Sequence, residues 1–429
     1  MAAPVVLQFL EGKRHGLVAR ADRLSRLTPR RVGLRPQDMP YAPSHEHFIA
    51  ANRRLGEIGQ RSVRQVKRME AGWSAANPGQ RLIAMAMVER EVDRARRSFG
   101  MFFEIFSQRG SSFAPALAAH DVIALDCYRA IRAAAPELLA KPLLKPLTYL
   151  EHGYSPATMR RGVQLARLLG DRNPFPVIRI PWDRDNPWQA VFLHEVSHNL
   201  QADLGLWHEN RTSLTRRMMS SGQNPQAVST YGRWHKEIFA DLAAILLGGP
   251  AAATGMMVFL AHPAPRAMTY RPGGSHPTGY LRAFILAAMM ERMGFAEEAA
   301  SAKRIWSTFY NPQKGHRIPN PILQSAPSAI PLIVDEIAFQ PRRALGQRAL
   351  VDIIPFTKRD ETGIQRGAFK LAAGKVPEDL PPRHLVSASS LALGKGAHPA
   401  RLSHLIVSHL SRLAAAERER PLVQLAAVA

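Results

Sequence analysis

A mainly helical chain with one small β-sheet (α+β) is the fold class this sequence predicts. Apolar residues recur at three- and four-residue spacing over long stretches, and extended character is confined to one short run bounded by prolines. The composition, 46% hydrophobic and 21% charged, is that of an ordinary packed protein. At 429 residues the chain exceeds the length at which a single core stops growing, so more than one packed unit is expected. The pattern divides it into an N-terminal helical region over 1–150, a core over 151–310, and a C-terminal helical and irregular region over 311–429.

The first clear element after the proline-rich linker 36–44 is a long amphipathic helix over 45–100. Ile49, Leu55, Ile58, Val63 and Val66 are spaced along one face of it among arginines. Helical patterning continues over 99–106 and 117–134. The run 174–181, Pro-Phe-Pro-Val-Ile-Arg-Ile-Pro, reads as a strand, and its prolines suit a sheet edge because proline donates no ladder hydrogen bond. Such an edge can accept an extended peptide.

Asp185-Asn186-Pro187 then reads as a helix start, a polar cap ahead of a first-turn proline, for a helix running to Gly205. A second helix is expected over 231–247, stopped by Gly248-Gly249-Pro250. The apolar run 238–261 is long enough to raise a membrane span. Because it contains Asp241 and is broken by Gly-Gly-Pro, a buried pair of helices with no membrane span is the expectation. Another helix is read over 280–294, a last one over 400–419, and the Gly-, Ser- and Pro-rich stretch 355–400 reads as the least ordered part.

A formal net charge of +23 invites a polyanionic partner, but the cations are scattered and no nucleic-acid module stands out, so nucleic acid is not the expected partner. Cys127 is the only cysteine, which excludes an intrachain disulfide, and it reads as a buried small hydrophobe. The first residues lack the basic segment and apolar run of a secretory signal. The expected location is the cytoplasm.

Chemistry concentrates in His194-Glu195-Val196-Ser197-His198. Residues four apart share a helix face, so both imidazoles can address one ion. Glu237 follows 39 residues after His198 and Asp241 one turn later, so a second helix can bring a third ligand. Three protein ligands leave a fourth position on Zn²⁺ open, where water drops in pKa from about 15.7 to about 7. A third histidine at the metzincin position fails because residue 204 is leucine, and a di-iron site lacks its second Glu-x-x-His. His208 reads as a structural or surface histidine, and His235 as one at the cleft rim or the surface.

The pattern resembles the gluzincin group of zinc metallopeptidases. That resemblance covers about residues 174–290 and implies a zincin-like core between helical flanks. It also implies His194, His198 and Glu237 as ligands of Zn²⁺, Glu195 as general base, and Asp241 as the carboxylate that orients a ligating histidine. Ser275-His276-Pro277-Thr278-Gly279-Tyr280-Leu281-Arg282 resembles the His-Pro segment of several gluzincins. His276 or Tyr280 is then the candidate donor to an oxyanion, and Arg282 a candidate anchor for a substrate carboxylate. The expected function is hydrolysis of a peptide or protein substrate. The alternative is a non-catalytic zinc-binding structural or interaction protein.

Overall fold

The computed structural model describes residues 4–24, 26–139, 144–153, 156–162, 172–183, 186, 189–312 and 317–426. It is mainly α, with one three-stranded mixed sheet among the described residues, as the periodicity predicts. Two compact units emerge, Met1–Ala114 with Met159–Val177, and Pro115–Thr158 with Ile178–Ala429. These do not coincide with boundaries at 150 and 310. The C-terminal helices pack on the same long helix that carries Glu237, so the two stretches share one core.

The first unit holds α1 (Pro4–Arg23), α2 (His45–Ala71) and α3 (Pro78–Ser107). The single helix expected over 45–100 is two. Gly72 follows the first, and Asn77-Pro78 starts the second with reciprocal caps: Asn77 Oδ1 accepts from the Gln80 amide, and Gln80 Oε1 from the Asn77 amide, both at 2.9 Å. Leu10, Leu17, Met69, Met85, Val88 and Val92 form the core of this bundle. Phe175 stacks on Phe106 and tilts onto Phe102 at its other end.

The second unit begins with α4 (Ala114–Ala134), on which Cys127 is buried, and continues into strands β1 (Leu147–Leu150), β2 (Ala157–Met159) and β3 (Val177–Ile180). Buried Asp121 fastens β1 to α4 by accepting from both the amide and the hydroxyl of Thr148. The strand order is β1-β3-β2, so β3 is the central strand and not an edge. Its flanking prolines Pro176 and Pro181 fall just outside the paired segment, where a missing N–H costs no ladder bond. The outer strands are β1 and β2.

Helices α5 (Val191–Asp203), α6 (Leu206–Ser220) and α7 (Pro225–Leu260) then build the core. The expected helix start at Asp185-Asn186-Pro187 does not open α5, which begins at Val191; Asp185 and Pro187 themselves lie outside the described residues. Gly205, at φ 69°, turns the chain from α5 into α6. On α7 the expected break occurs at Gly249, whose φ of 70° interrupts the helix, but Pro250 starts a second helical segment that reaches Leu260. The Gly248 carbonyl accepts from the Ser387 hydroxyl at 2.6 Å. A Cβ at Gly248 would sit 2.7 Å from Leu193 Cδ1, so the glycine permits α5 and α7 to approach closely.

Both α7 and the segment Asn320–Phe339 are long and apolar enough to cross a membrane by length and composition, yet 78% of the apolar window of α7 is buried within the protein. The remaining helices are α8 (Ala264–Ala267), α9 (Gly279–Arg292), α10 (Ala296–Phe309), α11 (Asn320–Val334), α12 (Leu350–Ile353), α13 (Lys358–Ala372), α14 (Pro382–Gly394) and α15 (Pro399–Ala426). The stretch 355–400 is therefore not the loose segment its composition suggests. Two helices occupy most of it, α14 packs on α7 and α13, and His384, Ser387 and Ser389 are buried. Ser387 and Ser389 donate to the carbonyls of Gly248 and Leu385.

Candidate metal centre

Helix α5 buries Leu193, Val196 and Leu200 against its surroundings and packs along α7, where Ile238, Phe239 and Leu242 are buried. That packing turns the polar residues between them toward one another. His194 Nε2 and His198 Nε2 each lie 3.4 Å from the same oxygen, Glu237 Oε2. The two rings are 4.7 Å apart and nearly perpendicular. All three ligand atoms fall within 4.8 Å of one another, and all three residues are largely buried.

These separations suit a metal ion. For bonds of about 2.0–2.1 Å in a tetrahedron, neighbouring donor atoms are about 3.3–3.4 Å apart. A buried His-His-Glu group with that spacing can hold a metal, and imidazole with carboxylate is a donor set acceptable to several divalent ions.

Asp241 completes the support. Its Oδ1 lies 2.8 Å from His194 Nδ1, so the imidazole donates from Nδ1 and turns Nε2 toward the ion. Asp241 is itself fully buried and is held by Arg282, whose Nε and Nη2 donate to the two carboxylate oxygens at 2.8 and 2.5 Å. Burial acts against the Asp241 charge, but Arg282 and then His194 hold its carboxyl below the usual range. Burial likewise opposes charge on Glu237, and the hydrogen bonds from His194 and His198 outweigh it, leaving that carboxyl far below the usual range. At His194 burial pushes the imidazole down, while Asp241 and then Glu237 raise it to about 9. In the absence of a metal the cluster therefore holds a proton where a cation can sit.

Arg282 does not face a substrate. It is buried, fastened to Asp241, with Met256 Sδ also within 3.7 Å of Nη2. The physical reason is the Asp241 carboxylate, which at this depth needs a counter-charge. The expected role as a substrate anchor gives way to support of the ligand's partner.

Among the described residues the Tyr280 hydroxyl makes no hydrogen bond to the His194, His198 and Glu237 side chains. The Tyr280 ring packs edge-on against Phe284 with centroids 5.0 Å apart, on a different side of α9 from Arg282. His276 does reach the cluster: Nε2 lies 3.4 Å from Glu237 Oε2, while the ring remains exposed. Trp234 Nε1 and Arg233 Nε both donate to the Gly274 carbonyl, so α7 pins the loop that carries His276. Thr278 then caps α9 by accepting from the Leu281 amide.

His208 is exposed on α6, as expected of a surface histidine. His235 departs from the rim or surface position expected of it. It is buried edge-on against Trp207, with Nδ1 2.9 Å from the Gly232 carbonyl, because α6 covers that side of α7.

Glu195 is 8% exposed, and its carboxylate takes a partner that sequence reasoning missed. The Thr158 hydroxyl of β2 is 2.7 Å from Glu195 Oε2 and 2.9 Å from the Glu195 backbone oxygen. A threonine 37 residues upstream in a three-residue strand has no periodicity or spacing that marks it.

No protein-family model, curated protein or solved structure matches this chain.

Proposed function

We propose that this protein is a zinc-dependent metallopeptidase of gluzincin type, hydrolysing peptide bonds with Glu195 as general base. The observation that carries the reading is the convergence of His194 Nε2, His198 Nε2 and one oxygen of Glu237 at ligand spacing, with a glutamate next to His194 on the same helix. Zinc held by these three residues supplies Lewis-acid polarisation and a water of lowered pKa.

The protein's own groups do the rest. Glu195 takes the proton of the attacking water and passes it to the departing amine. His276, exposed beside Glu237, is placed to donate to the oxyanion that forms at the scissile carbonyl. Asp241 and Arg282 keep His194 in the ligating orientation throughout. The outer strand β2, which touches Glu195 through Thr158, is the segment along which an extended peptide can lie.

Glu195→Gln tests the assignment, because the amide keeps the shape and loses the base. The variant should bind zinc as the parent does and lose at least about 100-fold in peptide hydrolysis. Undiminished cleavage of a verified peptide by Glu195→Gln removes the general-base assignment.

A second reading, a closed zinc site without catalysis, is favoured by one observation: His276 Nε2 lies as near to Glu237 Oε2 as the two motif histidines do. A fourth protein donor makes a structural site. His276→Ala separates the readings. Unchanged zinc affinity with reduced turnover supports the peptidase; a large loss of zinc affinity supports the closed site.

A further inference from the structure

The Thr158 hydroxyl has one proton and two acceptors within reach, both belonging to Glu195. The carboxylate oxygen at 2.7 Å is the stronger acceptor while Glu195 is ionised, and the backbone carbonyl at 2.9 Å is the alternative when it is not. Among the described residues the other carboxylate oxygen, Oε1, has no hydrogen bond to the protein.

We propose that Thr158 is a positioning residue for Glu195: by holding Oε2 it aims Oε1 at the reacting water, and it ties the orientation of the base to strand β2. This rests on the reading of Glu195 as general base. The side chain of a glutamate turns about three bonds, and α5 fixes only the first atom of it. Thr158 fixes the far end from a second element, and its β-branched side chain on a strand has few orientations of its own.

The proton balance needs no other group. As Oε1 gains the proton from water, Oε2 loses acceptor strength, and the Thr158 hydrogen rotates about its Cβ–Oγ bond toward the Glu195 carbonyl. When Oε1 delivers its proton to the leaving amine, the hydroxyl turns back. Thr158 ends each cycle with the hydrogen it started with. Because β2 is also an outer strand, a peptide laid along it would press on the same threonine that sets the base.

The test uses full-length, zinc-loaded protein with Thr158→Val, Thr158→Ala and Thr158→Ser. The Val and Ala variants should keep zinc content and melting temperature, lose about 10- to 100-fold in kcat, and leave KM within about twofold, while Ser restores most of kcat. A peptide hydroxamate, whose hydroxyl proton a carboxylate beside the metal accepts, provides a readout apart from turnover. Its Kd should rise about tenfold in Thr158→Val and Thr158→Ala and stay near the parent value in Thr158→Ser.

Parent protein that holds zinc and cleaves no peptide defeats the peptidase reading, and the hydroxamate series still decides the placement of Thr158. Parent-like kcat and parent-like hydroxamate binding in both Val and Ala variants overturn the inference. So does loss of zinc in both of them with zinc retained by Ser, which would make the threonine a support of the metal centre instead of the base.

Discussion

Competition between a proton and a metal at His194 gives the sharpest quantitative expectation. The ordinary imidazole value of 6.5 is raised to about 9, with burial acting against the rise and Asp241 and Glu237 producing it. A ligating imidazole must be neutral, so below about 9 each pH unit lowers the competent fraction about tenfold. At pH 7 that fraction is about 1%, and apparent zinc affinity should be about 100-fold below its limit. From pH 7 to pH 8 the affinity should improve about tenfold, whereas an imidazole at 6.5 would change by only about 1.3-fold over the same step. Competition against a chelator of known pH dependence measures this directly. Calorimetry in buffers of different ionisation enthalpy should show about one proton released per zinc at pH 7.

Asp241→Asn removes the charge that raises His194, so the steep pH dependence should flatten while Arg282 is left buried without its carboxylate. The same proton has a consequence for metal-free protein. Since the folded state holds it more tightly than the unfolded chain, its stabilisation is complete below about pH 6.5 and is lost as pH rises through about 9. Zinc should erase that loss. Less than a twofold change in zinc affinity between pH 7 and pH 8 in the parent protein would refute the proton-held cluster.

Buried His384, packed edge-on against Phe356, is pushed down to about 3 by burial, so protonation favours the unfolded chain. Stability should then fall as pH drops below about 6.5, by about 2 kcal/mol at pH 5, with the trend flattening below about 3. His384→Leu should show a shallower acid limb in urea melts at pH 7.5 and pH 5, and an unchanged limb would assign the effect elsewhere. Gly249 combines φ of 70° with a Cβ position that would run into the Phe356 ring. Gly249→Ala should cost about 3 kcal/mol by thermal or urea unfolding, and a cost under about 0.5 kcal/mol would show that the kink in α7 relaxes.

Much of the framework is legible in the sequence. The spacing of apolar residues predicted a helical protein, and the lone extended run 174–181 contains β3. Its prolines pointed to an edge because a proline tells which residue lacks an N–H, not how many strands come to pair beside it. The break at Asn77-Pro78 was also written in the chain, as a cap followed by a proline, but an unbroken amphipathic pattern masked it. Residues 355–400 misled for a different reason. Serine and glycine read as solvent-facing until the acceptors they reach, such as the Gly248 carbonyl, come from a distant segment.

At the site, local helix geometry was enough to put His194 and His198 on one face and Glu237 and Asp241 one turn apart, because those relations depend only on the rise and pitch of a helix. The packing of α5 on α7 decided that one oxygen of Glu237 meets both imidazoles. It also decided that Arg282 belongs to Asp241 and that the Tyr280 ring packs on Phe284. Thr158 needed the tertiary fold altogether. Its contact with Glu195 joins a strand to a helix across 37 residues, and no local rule of the chain relates two such positions until the sheet and the helix have packed.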